Sequence, residues 1–377
     1  MKILHVGQMI GGIGVYIRNT ITAADGPIDY VIVSGKDDQN KLVMKDGKVI
    51  KEYKVDLYRE LSLKDLKGLF QIIRIIRNEK PDLIHCHSAK GGFLGRWAGW
   101  LCHVTTLYTP HAYSFLSSQK QVKKRLFTIL ERLARHDSYM LACSGSEREL
   151  GIKEVHYNES HALVWHNSVP DALSVMEKEE AERGTDTVFK VCCVGRPCYQ
   201  KNTLFLIEVL KKVVEEIPDT KCYLLGVGYY SPDLEKVQML IKQYGLEENI
   251  EMTPWLPQKE TFEYIRNSDI YLTVSRYEGL PLSVIEAMSL GCPVIASDVP
   301  GNVDCVKNGT NGYLLPSDAS VFASRIIYLY RHPEVRKEMG VRSRELFEQH
   351  FCIDTQIKKL LKIYSEAVET SRNKNRK

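Results

Sequence analysis

The sequence predicts two doubly wound α/β domains, each built on a parallel sheet with helices on both faces. Short apolar runs alternate with longer amphipathic runs, and this pattern restarts after a polar segment near residue 170. The length of 377 residues accommodates two domains of ordinary size. With 44% hydrophobic and 26% charged residues, the composition excludes a collagen-like, mostly disordered or disulfide-stapled chain.

The first domain is predicted over residues 1–168, from six buried strands and the segments between them. Leu66–Asn78 carries apolar residues at helical spacing, and Pro81 ends that helix. The predicted strands are Ile3–Val6, Tyr30–Val33, Leu83–Cys86, Leu107–Thr109, Met140–Cys143 and Ala162–Trp165.

The second domain is predicted over residues 169–350, after a junction near His166–Pro170. Residues 170–187, which include Glu177–Glu180, are polar and carry no strand pattern. The remaining residues, 351–377, hold an amphipathic helix at about Thr355–Glu369 and a tail, Ser371–Lys377, that we expect to fray. The elements predicted for the second domain are strands Phe189–Val194, Lys221–Leu225, Ile270–Val274 and Val294–Ser297 and a helix over Leu204–Glu216.

Charge and cysteine usage narrow the possible partners. The net charge of +4 is too small to indicate nucleic-acid binding. Residues 1–170 carry 24 Lys and Arg against 17 Asp and Glu, which suggests a phosphate, a lipid headgroup or an acidic substrate there, or else scattered surface lysines. The ten cysteines include no CxxC pair, and no signal peptide or apolar run of 18 residues occurs, so we expect a reduced, cytoplasmic protein.

A glycine-rich loop follows the first predicted strand. Gly12 and Gly14 lie just before a predicted helix that opens at Val15, where backbone N–H groups and the helix dipole favour an anion. It is not the dinucleotide-binding motif, because the third glycine of that motif would fall on Ile17. A tight turn without a ligand is the alternative.

Two cations follow the first strand of the second domain. Arg196 stands at the strand end and Lys201 lies five residues later, at the start of the next predicted helix. Such a pair is suited to clamping a diphosphate. The alternative is an ordinary pair of surface cations.

The segment Glu278–Met288 carries the strongest signal in the chain. Pro281 suits the first turn of a helix, and the amides of Leu282 and Ser283 would face an anion. Glu278 before the helix and Glu286 inside it would then serve sugar and ribose hydroxyls. A capping and a solvated glutamate are the alternative.

These motifs together resemble the retaining glycosyltransferases of family 4, which have the two-domain GT-B fold, and the resemblance covers nearly the whole chain. It implies that the two domains face each other across a cleft and that the last helix returns to the first domain. It also implies that Glu278 binds donor-sugar hydroxyls, Glu286 the ribose, and Arg196 and Lys201 the diphosphate. Further matching segments are the glycine loop, Asn167–Pro170, Gly226-x-Gly228 and Phe351–Val368, and the nucleotide-sugar set is completed by Leu256, Gly279, Leu280, Pro281 and Leu282.

Histidines end two strands of the first domain. His85, His87 and His111 could be imagined around a metal ion, but no acidic ligand adjoins them. The segment Thr109–Phe115 resembles the His-Gly-Phe segment of capsule and exopolysaccharide transferases. That resemblance implies that His111 lies against the donor sugar and the acceptor, so His111 and Glu278 are the predicted catalytic residues.

No Asp-x-Asp motif occurs, so we expect no metal and no other cofactor, and a leaving diphosphate stabilised by Arg196, Lys201 and helix amides. The resemblance implies a reaction on one face of the sugar, in which the leaving phosphate oxygen accepts the acceptor's proton. Pro197 and Asn202 depart from the Leu and Gly usual in the family, which leaves the donor open. Trp255–Pro257 lies where the family contacts the base, and backbone contacts there favour a UDP-sugar, with a GDP-sugar second.

The acceptor is expected to be a glycan, on a polyprenyl diphosphate, in surface polysaccharide biosynthesis. Lys120, Lys123, Lys124 and Arg125 begin an amphipathic run that could lie on an anionic membrane at its inner face, or else be an ordinary surface helix. Two other functions remain as alternatives: a nucleotide-sugar 2-epimerase, and a non-catalytic nucleotide-sugar-binding subunit.

Overall fold

The computed structural model describes residues 1–38, 42–58, 62, 64–176, 188–228 and 230–374. The chain divides into two units, one formed by Met1–Ser168 with Ile353–Lys377 and the other by Val169–Cys352. The polar residues Glu177–Glu180 lie outside the described residues.

The first unit is built on a seven-stranded parallel sheet with the order β5-β2-β1-β6-β7-β8-β9. A short antiparallel hairpin, β3 and β4, turns at Asp46 and Gly47, both with positive φ. The elements are β1 (Lys2–Val6), α1 (Gly12–Ala23), β2 (Asp29–Gly35), β3 (Met44–Lys45), β4 (Lys48–Val49), β5 (Lys51–Val55), α2 (Lys64–Glu79), β6 (Leu83–His87), α3 (Ser88–Leu101), β7 (Thr105–Thr109), α4 (Gln121–Ala134), β8 (Tyr139–Ala142), α5 (Gly145–Leu150) and β9 (Ala162–Val164).

The second unit repeats this architecture with a six-stranded parallel sheet, in the order β12-β11-β10-β13-β14-β15. Its core joins strand residues such as Val191 and Leu272 to helix residues such as Leu206 and Phe322. The elements are α6 (Ala172–Val175), β10 (Lys190–Val194), α7 (Thr203–Glu216), β11 (Lys221–Leu225), α8 (Leu234–Tyr244), β12 (Ile250–Thr253), α9 (Gln258–Arg266), β13 (Ile270–Thr273), α10 (Leu282–Ser289), β14 (Val294–Ser297), α11 (Asn302–Cys305), β15 (Gly312–Leu315), α12 (Ala319–Arg331) and α13 (Pro333–His350).

The last helix, α14 (Ile353–Lys374), belongs to the first unit. Leu360 and Tyr364 of this helix join the apolar layer on the sheet face that also receives α1. The indole N–H of Trp165 donates a hydrogen bond to the carbonyl of Gln356, at 3.1 Å. The helix extends beyond the predicted Thr355–Glu369 and includes Ser371, and residues 375–377 of the tail expected to fray lie outside the described residues.

The predicted fold class of two Rossmann-like parallel sheets is confirmed. Five strands escaped prediction: the two-residue strands β3 and β4 of the hairpin, and β5, β12 and β15 of the parallel sheets. The last three are edge strands: exposed positions interrupt the apolar run in β5 and β12, and β15 has only four residues and begins with Gly312. Among the described residues, no helix combines the length and apolar character needed to cross a membrane.

Candidate functional site

The second unit brings a lysine and a glutamate together at the carboxyl ends of β10 and β13. The Lys201 ammonium lies 2.7 Å from Oε1 of Glu278, and the Gln200 side-chain amide donates to Oε2 of Glu278 at 3.3 Å. Glu278 is buried. Burial lowers the pKa of Lys201, but the neighbouring Glu278 more than offsets this effect, so the pKa of Lys201 is raised and the ammonium stays charged. Two residues predicted to bind diphosphate and sugar are therefore direct neighbours.

Two glycines allow this close arrangement. A Cβ on Gly195 would lie 3.0 Å from Cδ of Lys201, so the lysine stem passes directly over the end of β10. Gly301, after β14, has φ +87°, and a Cβ there would lie 2.8 Å from the carbonyl oxygen of Gly279 and 2.9 Å from Cβ of Glu278. Gly301 thus supports the Glu278–Gly279 turn from behind.

Helix α10 begins directly after that turn. Pro281 caps it through its carbonyl, which accepts hydrogen bonds from the amides of Val284 and Ile285. The amides of Leu282 and Ser283 come before any completed turn, so no helical carbonyl can accept from them. Together with the positive end of the helix dipole, they form a place for an anion, and Glu278 lies only four residues before Leu282 in the chain.

Glu286 lies one turn further along α10. Its Oε1 accepts a hydrogen bond from the side-chain amide of Gln258 at 3.2 Å. Gln258 opens α9 directly after Trp255, Leu256 and Pro257, so the expected base-contacting loop adjoins the expected ribose-binding carboxylate. Burial raises the pKa of Glu286 to about 7, and the hydrogen bond from Gln258 offsets only part of this effect.

Arg196 completes the predicted set in the second unit. It is half-buried two residues beyond β10, and among the described residues no carboxylate lies within 4 Å of it. Nearby, Arg276 donates from its guanidinium to the carbonyl of Tyr199 at 2.7 Å and from its amide to the carbonyl of Gln200 at 2.8 Å. These two bonds tie the loop that carries Lys201 to the loop that carries Glu278.

The first unit gathers four histidines at the corresponding strand ends. His5 pairs in register with His85, and alternation along β6 sends His87 to the same face. Nδ1 of His5 lies 2.9 Å from Nε2 of His87, and Nδ1 of His87 lies 3.2 Å from Nε2 of His111. His5, His85 and His87 are fully buried, and burial lowers the pKa of all four imidazoles, to about 3 for His5 and His111.

Ring nitrogens of His5, His85 and His87 lie within 4.8 Å of one another, a spacing that suits metal ligation. However, both nitrogens of His85 already have partners. Thr109 Oγ1 donates to the Leu141 carbonyl, so it accepts from Nε2 of His85, which leaves Nδ1 of His85 to accept from the Tyr364 hydroxyl. The hydrogen bonds therefore favour an imidazole network here, and His111, one of the three ligands considered from the sequence, is not in this group.

The backbone at His111 is strained and specifically held. His111 has φ +54° and Ala112 φ +74°, a left-handed conformation that side chains disfavour. The buried carboxylate of Glu147 accepts hydrogen bonds from the amides of Ala112 at 2.7 Å and Cys143 at 2.8 Å. Ser144 in turn caps the helix that carries Glu147.

The glycine loop differs in one respect from expectation. Helix α1 begins at Gly12 rather than at Val15, so Gly12 and Gly14 lie in its first turn, after Gly11 as N-cap. Gly14 is buried, and a Cβ there would lie 3.1 Å from the Met9 carbonyl oxygen. No side chain caps this helix, so its first amides remain open to an anion.

Sequence reasoning missed five residues that shape these two sites. Three had some signal in the sequence: a histidine inside the apolar first strand, a glutamate three residues after Ser144 in the pattern of a helix start, and a Pro-Gly turn after β14. The other two, both glutamines, gave no signal in the sequence. The missed residues are His5, Glu147, Gln200, Gln258 and Gly301.

Two family descriptions match consecutive parts of the chain. Residues 10–173 match "Glycosyltransferase Family 4" and residues 175–346 match "Glycosyl transferases group 1". A trehalose synthase from Pyrococcus horikoshii is 32% identical, with 96% of this chain and 85% of that protein covered. The Escherichia coli UDP-Gal:alpha-D-GlcNAc-diphosphoundecaprenol alpha-1,3-galactosyltransferase is 29% identical, with 83% of this chain and 82% of that protein covered.

A solved structure agrees with this fold. The Anabaena protein Alr3699/HepE, in complex with UDP, superposes with a TM-score of 0.77 at 18% identity, covering 97% of this chain and 100% of that one. The predicted resemblance is thereby confirmed: the chain belongs to the family 4 glycosyltransferases with the GT-B fold.

Proposed function

We propose that this glycosyltransferase moves a sugar from a UDP-sugar to a polyprenyl-diphosphate-linked glycan, with retention at the anomeric carbon, in surface polysaccharide biosynthesis. The observation that carries the proposal is the contact of Lys201 with Glu278 beside the open amides of α10. UDP in the related Anabaena structure and the diphosphoundecaprenol substrate named for the Escherichia coli relative support the choice of donor and acceptor.

Charge stabilisation of the leaving diphosphate is the central chemical task. Arg196, Lys201 and the amides of Leu282 and Ser283 supply donors that are in place before the bond breaks. We propose that this set replaces a metal ion. Activity that survives EDTA supports this, and activity that EDTA removes and Mg²⁺ or Mn²⁺ restores contradicts it.

Glu278 is assigned to donor-sugar hydroxyls. Each of its oxygens already accepts from a side-chain donor, Lys201 on one and Gln200 on the other, which suits a fixed hydrogen-bond acceptor better than a nucleophile. In the proposed reaction the acceptor hydroxyl attacks from the face that the diphosphate leaves. The proton passes to the departing phosphate oxygen, so no covalent sugar-enzyme intermediate is formed.

Helix α4 supports a location on the inner face of the membrane. Its exposed side carries four large apolar residues at spacings of 4, 3 and 4, namely Val122, Leu126, Ile129 and Leu133, which are 48–82% exposed. The opposite side holds Glu131, buried in an ion pair with Arg96. The charged residues that line a groove of about 350 Å³ along this helix are three cations, Lys124, Arg125 and Arg132, and one carboxylate, Glu154.

The apolar residues of this amphipathic run differ in their exposure. Phe127 and Leu130 are half-buried, whereas Leu126, Ile129 and Leu133 are exposed. The exposed row beside Lys120, Lys123, Lys124 and Arg125 has the form of an interfacial helix on an anionic surface.

The donor and acceptor are tested by incubating the enzyme with a panel of UDP- and GDP-sugars and a short polyprenyl-diphosphate-linked GlcNAc. We expect a glycosylated lipid from one UDP-sugar, with α-configuration in the product by NMR. Release of a free epimerised sugar without an acceptor product would instead indicate a 2-epimerase. Binding without turnover, for the whole panel, would indicate a nucleotide-sugar-binding subunit.

Membrane docking is tested by sedimentation with vesicles containing phosphatidylglycerol. Changing Lys120, Lys123, Lys124 and Arg125 together to Ser should reduce binding, since each cation near such a surface contributes about 1 kcal/mol. The matched control changes four exposed helix lysines of the second unit, Lys211, Lys212, Lys236 and Lys242, to Ser. Equal loss in both quadruple variants would show nonspecific charge binding, and no sedimentation of the wild type at low salt would reject docking.

A further inference from the structure

Three imidazoles form a continuous hydrogen-bonded chain from the centre of the first sheet to His111. His5, on β1, contacts His87 at the end of β6, and His87 contacts His111, as the two nitrogen–nitrogen distances of 2.9 and 3.2 Å show. The rings are also stacked, at 15° between His5 and His87 and 24° between His87 and His111. His5 and His87 are fully buried, whereas His111 is half-buried.

All three rings are neutral at physiological pH, because burial lowers the pKa of each. A neutral imidazole carries one N–H and one bare nitrogen. Two consecutive hydrogen bonds therefore allow only two arrangements, with every N–H directed toward His111 or every N–H directed toward His5.

The inner end of the chain distinguishes the two arrangements. Nε2 of His5 is buried, and among the described residues it has no hydrogen-bond partner. If the N–H groups pointed inward, this nitrogen would be a buried donor with nothing to accept from it. If they point outward, it is a bare acceptor, which proteins tolerate better than an orphaned N–H.

We propose that His5 and His87 are positioning residues that hold His111 as the tautomer protonated on Nδ1. Nδ1–H of His5 donates to Nε2 of His87, and Nδ1–H of His87 donates to Nε2 of His111. His111 is left with Nδ1–H for a ligand.

The surroundings of His111 fix the ring as well as its tautomer. The Tyr16 ring packs edge-on against His111, with 4.8 Å between centroids. The fourth histidine does not interrupt the chain, because Thr109 and Tyr364 occupy both nitrogens of His85.

The chemical consequence concerns the proposed transfer reaction, on which this part of the inference rests. A protonated Nδ1 donates a hydrogen bond to an oxygen of the substrate and cannot act there as a base. His111 therefore binds a sugar or phosphate oxygen, and the acceptor proton must leave by another route, as it does when the departing phosphate oxygen takes it.

The tautomer is measured by NMR of the full chain labelled with ¹⁵N-histidine, because protonated and bare ring nitrogens resonate in separate regions. His111 is assigned by the signals lost in His111→Asn. The account predicts a protonated Nδ1 and a bare Nε2 in the wild type at pH 7. A protonated Nε2 on His111 overturns the proposal without reference to activity.

Variants of His87 add a second readout. His87→Phe keeps a ring but removes both nitrogens, so His111 should become a mixture of tautomers and kcat should fall roughly 10- to 100-fold, as for other orienting partners. His87→Asn places an amide N–H at the position of Nδ1 and should restore the single tautomer and most of kcat. His156→Asn, at an exposed histidine with φ +64°, is the matched control.

These experiments distinguish a failure of the positioning proposal from a failure of the proposed reaction. Equal tautomers and equal kcat in His87→Phe and His87→Asn would overturn the positioning role, even if His87→Phe is less stable. A protonated Nδ1 on His111 together with full activity of His111→Ala would uphold the chain but remove His111 from the proposed reaction.

Discussion

The two units share an architecture but differ in the charge of the side chains at their strand ends. In the second unit the ammonium of Lys201 stays charged and contacts the buried side chain of Glu278, close in sequence to the open amides of α10. In the first unit four imidazoles stay neutral and bond to one another, to a threonine and to a tyrosine. The difference teaches that a doubly wound sheet fixes where a site lies, whereas the residues at the strand ends decide whether it handles charge or only orients neutral groups.

The charged site should be the more sensitive to losing a cation. Arg196→Ala should lower kcat on the order of 10²–10³-fold, because the guanidinium would stabilise charge growing on the diphosphate. Its half-buried position without a carboxylate partner means that Tm should change little. Lys212→Ala, on the exposed side of α7, is the control. A loss of less than threefold for Arg196→Ala would remove this residue from the diphosphate site.

Lys201→Ala should lower kcat to a similar degree but, unlike Arg196→Ala, also lower stability. The reason is that Glu278, only 6% exposed, would lose its ion pair. Lys201→Ala with Glu278→Gln should recover Tm but not kcat. Recovery of kcat in this double variant would mean that Lys201 serves only to neutralise Glu278.

The neutral histidine cluster should make the stability of the first unit more sensitive to acid than that of the second. The folded-state pKa of His5 and His111, about 3, lies below the unfolded value of about 6.5. The unfolded chain therefore binds more protons between these values, and stability falls as pH drops below 6.5, by up to about 1.4 kcal/mol per pH unit for each histidine.

Urea unfolding at pH 7.5 and 5.5 measures this loss. Trp165 of the first unit is buried and Trp255 of the second is 71% exposed, so tryptophan fluorescence follows mainly the first unit. Between pH 7.5 and 5.5, we expect the urea midpoint measured by fluorescence to fall more than the midpoint measured by far-ultraviolet circular dichroism, which reports on both units. Coincident transitions at both pH values would contradict the separation of the units by acid.

The close contact of Gly301 with the Glu278–Gly279 turn predicts a smaller effect, on donor binding. Gly301→Ala should raise KM for the donor about 10-fold, since a Cβ at 2.8–2.9 Å would displace the Glu278–Gly279 turn and φ +87° adds strain. Gly309→Ala is the control, because it also has positive φ, at +77°, but a Cβ there meets nothing within 4 Å. Similar KM changes in both variants would show that backbone strain, not the turn, is responsible.

The sequence was informative where one local pattern carries the information. Apolar runs predicted the central strands, and the Glu278–Glu286 segment predicted a helix start facing an anion, because both depend on neighbouring residues. The contact of Lys201 with Glu278 spans 77 positions, and that of His5 with His87 spans 82, so strand order rather than local spacing creates them. His5 is visible as the one polar residue in its apolar strand, but a single polar residue leaves the strand prediction unchanged and does not indicate a partner.

The second unit's most direct test is the pH dependence of UDP binding at Glu286. In the proposed ribose site the ionised carboxylate is the stronger acceptor and has both oxygens available for hydroxyls, and its pKa of about 7 means that ionisation is incomplete at neutral pH. Affinity should therefore rise as pH is raised from 6 to 8, by roughly 10-fold beyond the change caused by UDP itself. Because the folded-state pKa is above the ordinary value of 4.5, stability is lost as pH rises from about 4.5 to about 7, so Glu286→Gln should raise Tm more at pH 8 than at pH 5.

Calorimetric titration of UDP into the wild type and Glu286→Gln, at pH 6 and pH 8, measures the central claim that this unit binds the nucleotide through Glu286. At pH 8 we expect Glu286→Gln to bind about 10- to 100-fold more weakly, the loss of one charge-assisted hydrogen bond of about 1.5–3 kcal/mol. Its remaining pH dependence should be that of UDP alone. Equal affinities of the two proteins at both pH values would contradict the account.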